Sequence, residues 1–212
     1  MANKPKQELY RPFFLHLDVV IMSFVLVVLA TALWIQSLVL SSVLYGVIGM
    51  VAFMFSEYLT HRFLFHLKAP KNVLFLKILK RLHYDHHTRP SELKLLFLPV
   101  WYSLPNLTVF AVLFYFLFGN FNSTLAFAAG LVAMLLIYEW KHYVAHRPIQ
   151  PATKLGQWVK RTHLLHHYKN ENYWYGVSTP FVDVLFGTLK NEKEVPKSDT
   201  VQDLERRGEH ME

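Results

Sequence analysis

Two long stretches of the chain, Val19 to Ser56 and Leu95 to Tyr138, carry no Lys, Arg, Asp or Glu and are apolar along nearly their whole length. At a rise of ~1.5 Å per residue, each is close to twice the ~20 residues that cross a hydrocarbon core, so each predicts a helical hairpin and not a single span. Turn chemistry sits where the hairpins need it, near Gln36 to Ser42 and near Gly119 to Thr124. The first pair of helices is predicted from Phe13 to Ile35 and from Leu38 through Glu57 toward His61 and His66. The second pair is predicted from Leu95 to Phe118 and from Thr124 to His146. Pro99 and Pro105 predict a kinked or re-entrant entry to the third helix, and Pro148 a stop after the fourth. Between the hairpins, Phe75, Leu79, Leu82 and His86 share one helical stripe while Lys77, Lys80 and Arg81 face elsewhere, the pattern of an amphipathic helix lying at a membrane interface.

Composition agrees with lipid as the main solvent, since 53% of the 212 residues are hydrophobic and only 17% charged. All 22 Lys and Arg lie outside the two uncharged runs, and neither hairpin tip carries one. The positive-inside rule therefore predicts both termini and both polar blocks on the cytoplasmic side. The net charge of +7 is then a matter of membrane topology, and no nucleic-acid interface is expected, because the basic residues flank spans and do not form a separate patch. With no cysteine, disulfides and thiolate metal sites are excluded. The fold class read from these patterns is all-α: an integral membrane protein with four transmembrane helices in two hairpins and a cytoplasmic helical cap. Its domain plan is a basic lead-in over 1–12, a catalytic domain over 13–189, and a charged, mobile tail over 190–212.

Ten of the 12 histidines fall into four groups: His61 and His66; His83, His86 and His87; His142 and His146; His163, His166 and His167. Each group begins where an uncharged run ends or lies in the polar block that follows, so all four are expected at one membrane surface. Residues at i, i+3 and i+4 share a helix face, so each HxxHH triplet can aim its rings at one point, and His142 and His146 can do the same. The gap of five between His61 and His66 fits a helix that loosens near its end, or two ligands serving different metals. Ten imidazoles exceed what one ion accepts, which predicts a site for two metal ions with no catalytic side chain required beyond the ligands. Glu57, Asp85, Glu139 and Asp183 are candidate acceptors for the outward N–H groups of liganding rings. Trp158, Trp174 and Tyr175 read as interfacial or packing aromatics. A metal transporter would need ionisable groups distributed through the spans, which these runs lack.

The stretches EYLTHRFLFH (57–66), LHYDHH (82–87), YEWKHYVAH (138–146) and RTHLLHHYKNENYWYGVSTPFVDVLFGTL (161–189) closely resemble the membrane fatty acid hydroxylase superfamily, and within it the fatty acid or sphingolipid 2-hydroxylases. The resemblance implies a di-iron centre held by the ten histidines, with zinc able to occupy the same positions. It also implies O2 as oxidant, a membrane lipid as substrate, and two electrons from an external b-type cytochrome or ferredoxin system. Several eukaryotic members carry a fused cytochrome domain, whereas about twelve residues precede the first span here. A carotenoid hydroxylase or sterol desaturase would use much the same histidines on a ring substrate and is the nearest alternative. The chemistry is consistent, since an unactivated methylene offers neither an acidic proton nor a leaving group and its oxidation needs a redox metal.

Overall fold

A computed structural model describes residues 6–36 and 40–211, and all regular structure among them is helical. The helices are α1 (Lys6–Phe14), α2 (Leu17–Ile35), α3 (Leu40–Leu59), α4 (Val73–Leu79), α5 (Asp85–Thr88), α6 (Leu93–Leu96), α7 (Val100–Phe118), α8 (Phe121–Ala145), α9 (Lys154–Tyr168) and α10 (Phe181–Leu185). Four stretches are long and apolar enough to cross a membrane: Leu17–Ile35, Ser42–Phe65, Leu93–Phe118 and Phe121–Ala145. The chain is thus an all-α, multi-pass membrane protein of four spans. Residues 37–39 of the first expected turn lie outside the described residues. At the second, Gly119 adopts φ 65°, a left-handed conformation that only glycine enters without strain, and its N–H donates to the Tyr115 carbonyl at 2.7 Å.

The chain divides into two compact units, one built from residues up to Phe55 together with Leu98–Trp140, the other from Ser56–Phe97 together with the residues after Trp140. In the first unit α8 is central: half of its most apolar stretch is buried, against 11% for α2. The helices α3 and α8 touch backbone to backbone. A Cβ on Gly130 would lie 1.9 Å from the Gly46 carbonyl oxygen, and one on Gly49 would lie 2.1 Å from that of Phe127. Small residues permit this approach, which is how membrane helices gain contact where apolar burial gives no preference over lipid. Gly130→Val is expected to cost about 3 kcal/mol by overpacking a backbone contact that cannot yield. Thermal unfolding in detergent checks this, and an unchanged midpoint would refute the close crossing.

Two carboxylates prepare the start of α7. Pro99 has no N–H, and the N–H groups on either side of it are taken by acids: Leu98 donates to Glu139 Oε1 and Val100 to Asp18 Oδ1, both at 2.9 Å. An unpaired helix start within an apolar span would cost several kcal/mol. The predicted kink therefore appears as a break at Pro99 between α6 and α7, while Pro105 sits inside a continuous helix. The basic lead-in is helical over α1, and Phe13 and Tyr10 pack on Trp140.

The second unit carries the polar blocks. A π-helical turn, Thr60–Phe65, follows α3, and another, Lys80–Tyr84, joins α4 to α5. The stripe predicted to lie at a membrane interface faces the unit's interior instead: Leu79, Leu82 and His86 are buried. The end of α8 is closed by Lys160, whose Nζ donates to the carbonyls of Val144, Arg147 and Ile149 at 2.7–2.9 Å. The segment after Lys190, read from its charge as mobile, packs against this unit. Val195, Val201 and Leu204 are buried, and Ser198 N–H donates to the Lys169 carbonyl at 2.8 Å. Three spaced apolar residues among many charges were too weak a signal to set against composition.

Candidate metal centre

All ten grouped histidines lie in the second unit and form two clusters of five. His61, His66, His83, His87 and His166 make one, and His86, His142, His146, His163 and His167 the other. Within each cluster one nitrogen per ring lies within 4.8 Å of every other. Nine of the ten are buried. Each HxxHH triplet is therefore divided, not aimed at one point as the spacing first suggests. His83 and His87 serve the first cluster and His86 the second, while His163 and His167 serve the second and His166 the first. On a helix, i and i+4 differ by about 40° and i+3 departs by about 60° the other way, so a triplet wedged between two centres feeds both. The gap of five also has its explanation. His61 and His66 span the π-helical turn, where i and i+5 come onto one face, and both join the same cluster. Between the clusters, the rings of His87 and His167 stack at 4.1 Å.

Backbone carbonyls fix the direction of the rings in the first cluster. Nδ1–H of His61 donates to the Tyr175 carbonyl at 2.5 Å, that of His87 to Val201 at 2.7 Å, and that of His166 to Tyr173 at 2.8 Å. A carbonyl only accepts, so in each neutral ring Nε2 carries the lone pair and points inward. His83 Nε2 then faces Nε2 of His61, His66 and His87 at 2.9–3.1 Å with at most one proton to share. Lone pairs are left facing one another, an arrangement that a shared cation relieves. The second cluster shows the same convergence, His142 to His86 and His146 to His163 both at 2.8 Å between Nε2 atoms.

Burial, and after it the neighbouring histidines, holds His66, His83, His86, His146, His163 and His167 well below the ordinary imidazole pKa. His87 is pushed down to about 3, again mainly by burial. These rings are neutral at physiological pH, the form that binds metals. Ions with Nε2 ligands at about 2.1 Å need opposed nitrogens no more than about 4.2 Å apart. The observed limit of 4.8 Å is met by inward shifts of a few tenths of an ångström per ring. An all-imidazole donor set suits iron, zinc, copper or nickel, and excludes a hard-cation site for calcium or magnesium.

The carboxylates expected to orient the rings do other work. Glu57 does not take the His61 N–H. It accepts from the N–H groups of Val177 and Ser178 at 3.0 and 3.3 Å. Asp85 is partly exposed and pairs with Arg89 at 3.3 Å. Glu139 serves the start of α7 as described above. Asp183, fully buried, accepts from Tyr175 N–H and Gly176 N–H at 2.8 Å and from the Thr188 hydroxyl at 2.7 Å. It thus acts on His61 at one remove, by holding the peptide whose carbonyl receives the ring.

That peptide belongs to the loop after α9, which side-chain reasoning missed because its contribution is backbone. Trp174 adopts φ 57°, a strained conformation for a bulky residue, costing roughly 1–3 kcal/mol. The twist sits between Tyr173 and Tyr175, the two residues whose carbonyls reach His166 and His61. Trp174 is buried, not interfacial, and its indole N–H donates to the Lys190 carbonyl at 3.0 Å. Tyr175 lays its ring against His61, His66 and His166 at centroid distances of 5.3–5.6 Å, and burial raises its phenol to about 12. Trp158 is exposed. Arg207, also unanticipated, donates to the His66 carbonyl and to Asn172 Oδ1, both at 2.6 Å, so the C-terminal segment braces the first cluster as well as supplying the Val201 carbonyl.

The sequence profile of the fatty acid hydroxylase family matches residues 46–188, which include every residue of both clusters. Fatty acid 2-hydroxylase of Mus musculus is 34% identical over 153 residues, covering 71% of this chain and 41% of that protein. The ceramide very long chain fatty acid hydroxylase of Schizosaccharomyces pombe is 30% identical, covering 69% and 42%. The chain thus spans about two fifths of the length of these relatives. A solved structure described as full-length scs7p, with only the hydroxylase domain visible, superposes with a TM-score of 0.77 at 25% identity, covering 88% of this chain and 69% of that one.

Proposed function

Because the chain belongs to the fatty acid hydroxylase family, we propose that it is a membrane monooxygenase that hydroxylates a lipid acyl chain, at the 2-position of a fatty acyl or sphingolipid-type substrate. The observation that carries this reading is the pair of five-histidine clusters, each close enough to seat one ion. The relatives named for 2-hydroxylation of fatty acids and for ceramide fatty acids support the substrate class. In this reading the ten histidines hold two irons, and two electrons come from an external b-type cytochrome or ferredoxin donor. The placement of every Lys and Arg outside the uncharged runs supports a cytoplasmic site and cytoplasmic termini.

Bound redox ions supply what no side chain here possesses, activation of O2 for attack on an unactivated C–H bond. The net change inserts one oxygen atom into that bond and sends the other to water with two electrons and two protons. The chain's own part is positional. The carbonyls of Tyr173, Tyr175 and Val201 keep three lone pairs aimed inward, and burial keeps the rings neutral and bulk water out. The Tyr175 ring covers three rings of the first cluster with an apolar face, a surface against which an acyl methylene can rest.

Membranes containing the chain, supplied with a fatty acyl or ceramide substrate and a reduced donor under 18O2, are expected to yield a hydroxylated lipid heavier by one 18O atom. Product formed without O2, or labelled from water, would overturn the reading.

A further inference from the structure

The short helix α10 is built inside out for a protein surface in water. Its one charged residue, Asp183, is fully buried, as is Val182, while Phe181, Val184 and Leu185 are 59%, 52% and 56% exposed. These three occupy i, i+3 and i+4 and so form one face, extended by Phe186 at 42%. The neighbouring sequence does not restore polarity. From Asn170 to Leu189 the only charged residues are Glu171 and Asp183, both at 0% exposure. A water-facing loop region of that length without one exposed charge is unusual, and a contiguous apolar patch marks a contact surface.

Continuity with a membrane span identifies the contact. Phe186 stacks on Tyr58 at 4.9 Å, and Tyr58 belongs to the span Ser42–Phe65. Beside Tyr58 in that span, Leu59 and Phe63 are 40% and 56% exposed, the outward apolar surface that a spanning helix turns to lipid. The outer face of α10 therefore prolongs a lipid-facing surface. We propose that Phe181, Val184, Leu185 and Phe186 are immersed in the acyl region of the bilayer, so that α10 is a membrane-inserted element of the histidine-bearing unit.

The placement has a chemical consequence, which rests on the acyl-hydroxylase reading above. Rings run without interruption from this surface to the first cluster: Phe186 on Tyr58, Tyr58 edge-on to Tyr175 at 5.9 Å, and Tyr175 against His61, His66 and His166. These rings link the α10 surface to the first cluster, with the Arg62 guanidinium lying against Tyr58, Phe63 and Tyr175 beside them.

The lack of native cysteine makes the test direct. Val184→Cys, Leu185→Cys and, as a polar control, Lys193→Cys are made in the full chain, labelled with a nitroxide and reconstituted in phosphatidylcholine bilayers. Collisional relaxation by O2, which concentrates in lipid, is compared with that by a neutral water-soluble nickel chelate. O2 is expected to act several-fold more strongly than the chelate at 184 and 185, with the order reversed at 193. Equal access of the chelate to all three sites would mean water, and exclusion of both reagents at 184 and 185 would mean a protein partner such as a second copy. Either result overturns the proposal. No turnover enters the readout, so it fails or stands independently of the proposed hydroxylation.

Discussion

Replacing His166 with alanine is expected to reduce acyl hydroxylation to less than about 1% of wild type and to remove at least the ion of the first cluster. Loss of an outer-sphere partner alone costs ~10–100-fold in metal affinity or activity, and a direct ligand is worth more. The position is chosen for its geometry. His166 Nε2 lies 3.1 Å from His66 Nε2, and its outward nitrogen is fixed by the Tyr173 carbonyl, so the ring has one role available. His86→Ala is expected to do the same from the second cluster, where His86 faces His142 at 2.8 Å. Product by mass spectrometry and metal by elemental analysis on the purified chain give the answer. Full activity with two ions bound in either variant would defeat the assignment.

Asp183→Ala is expected to have the largest effect on stability, about 3–5 kcal/mol, with a weakened first cluster in whatever protein remains folded. The carboxylate receives two backbone N–H groups and a hydroxyl in a buried place, and its removal takes the acceptor from the Tyr175 and Gly176 N–H groups. Gly176 packs so closely that a Cβ there would lie 2.6 Å from Asp183 Oδ2, so the loop has little room to find another arrangement. Burial raises the Asp183 pKa, so Asp183→Asn, which keeps the shape and one acceptor oxygen, is expected to be milder. Unfolding midpoints of the two variants, read beside their metal content, separate simple destabilisation from a lost grip on His61. Equal stability of wild type and Asp183→Ala would refute the role.

The parts of this molecule that follow from period and polarity were readable in the sequence. Charge-free runs of twice the spanning length gave four spans, and ten histidines at helical spacings gave a shared site in one unit. What escaped depends on backbone direction. The division of His83, His86 and His87 between two clusters is decided by how the helix is wedged, and a local change of helical winding at 80–84 is not written in the identities of the residues. The carbonyls of Tyr173, Tyr175 and Val201 are common to any amino acid, so no residue type announces them. Carboxylates drew attention as natural partners for imidazole N–H groups, yet Glu57 and Asp183 were required first by buried peptide N–H groups within reach. The contacts of the segment after Lys190 are hidden because charge density outweighs its three apolar anchors, and its chief contributions, the Val201 carbonyl and the Arg207 guanidinium, lie far in sequence from the cluster they brace.

Two of the four histidine-bearing segments, 83–87 and 163–167, give nitrogens to both clusters. A cut between His66 and His83 takes two rings from the first nest and leaves the second whole in sequence, whereas any local melting of α5 or α9 spoils both at once. Through these two segments the nests share their scaffold, so the folding of α5 and α9 is a condition for both.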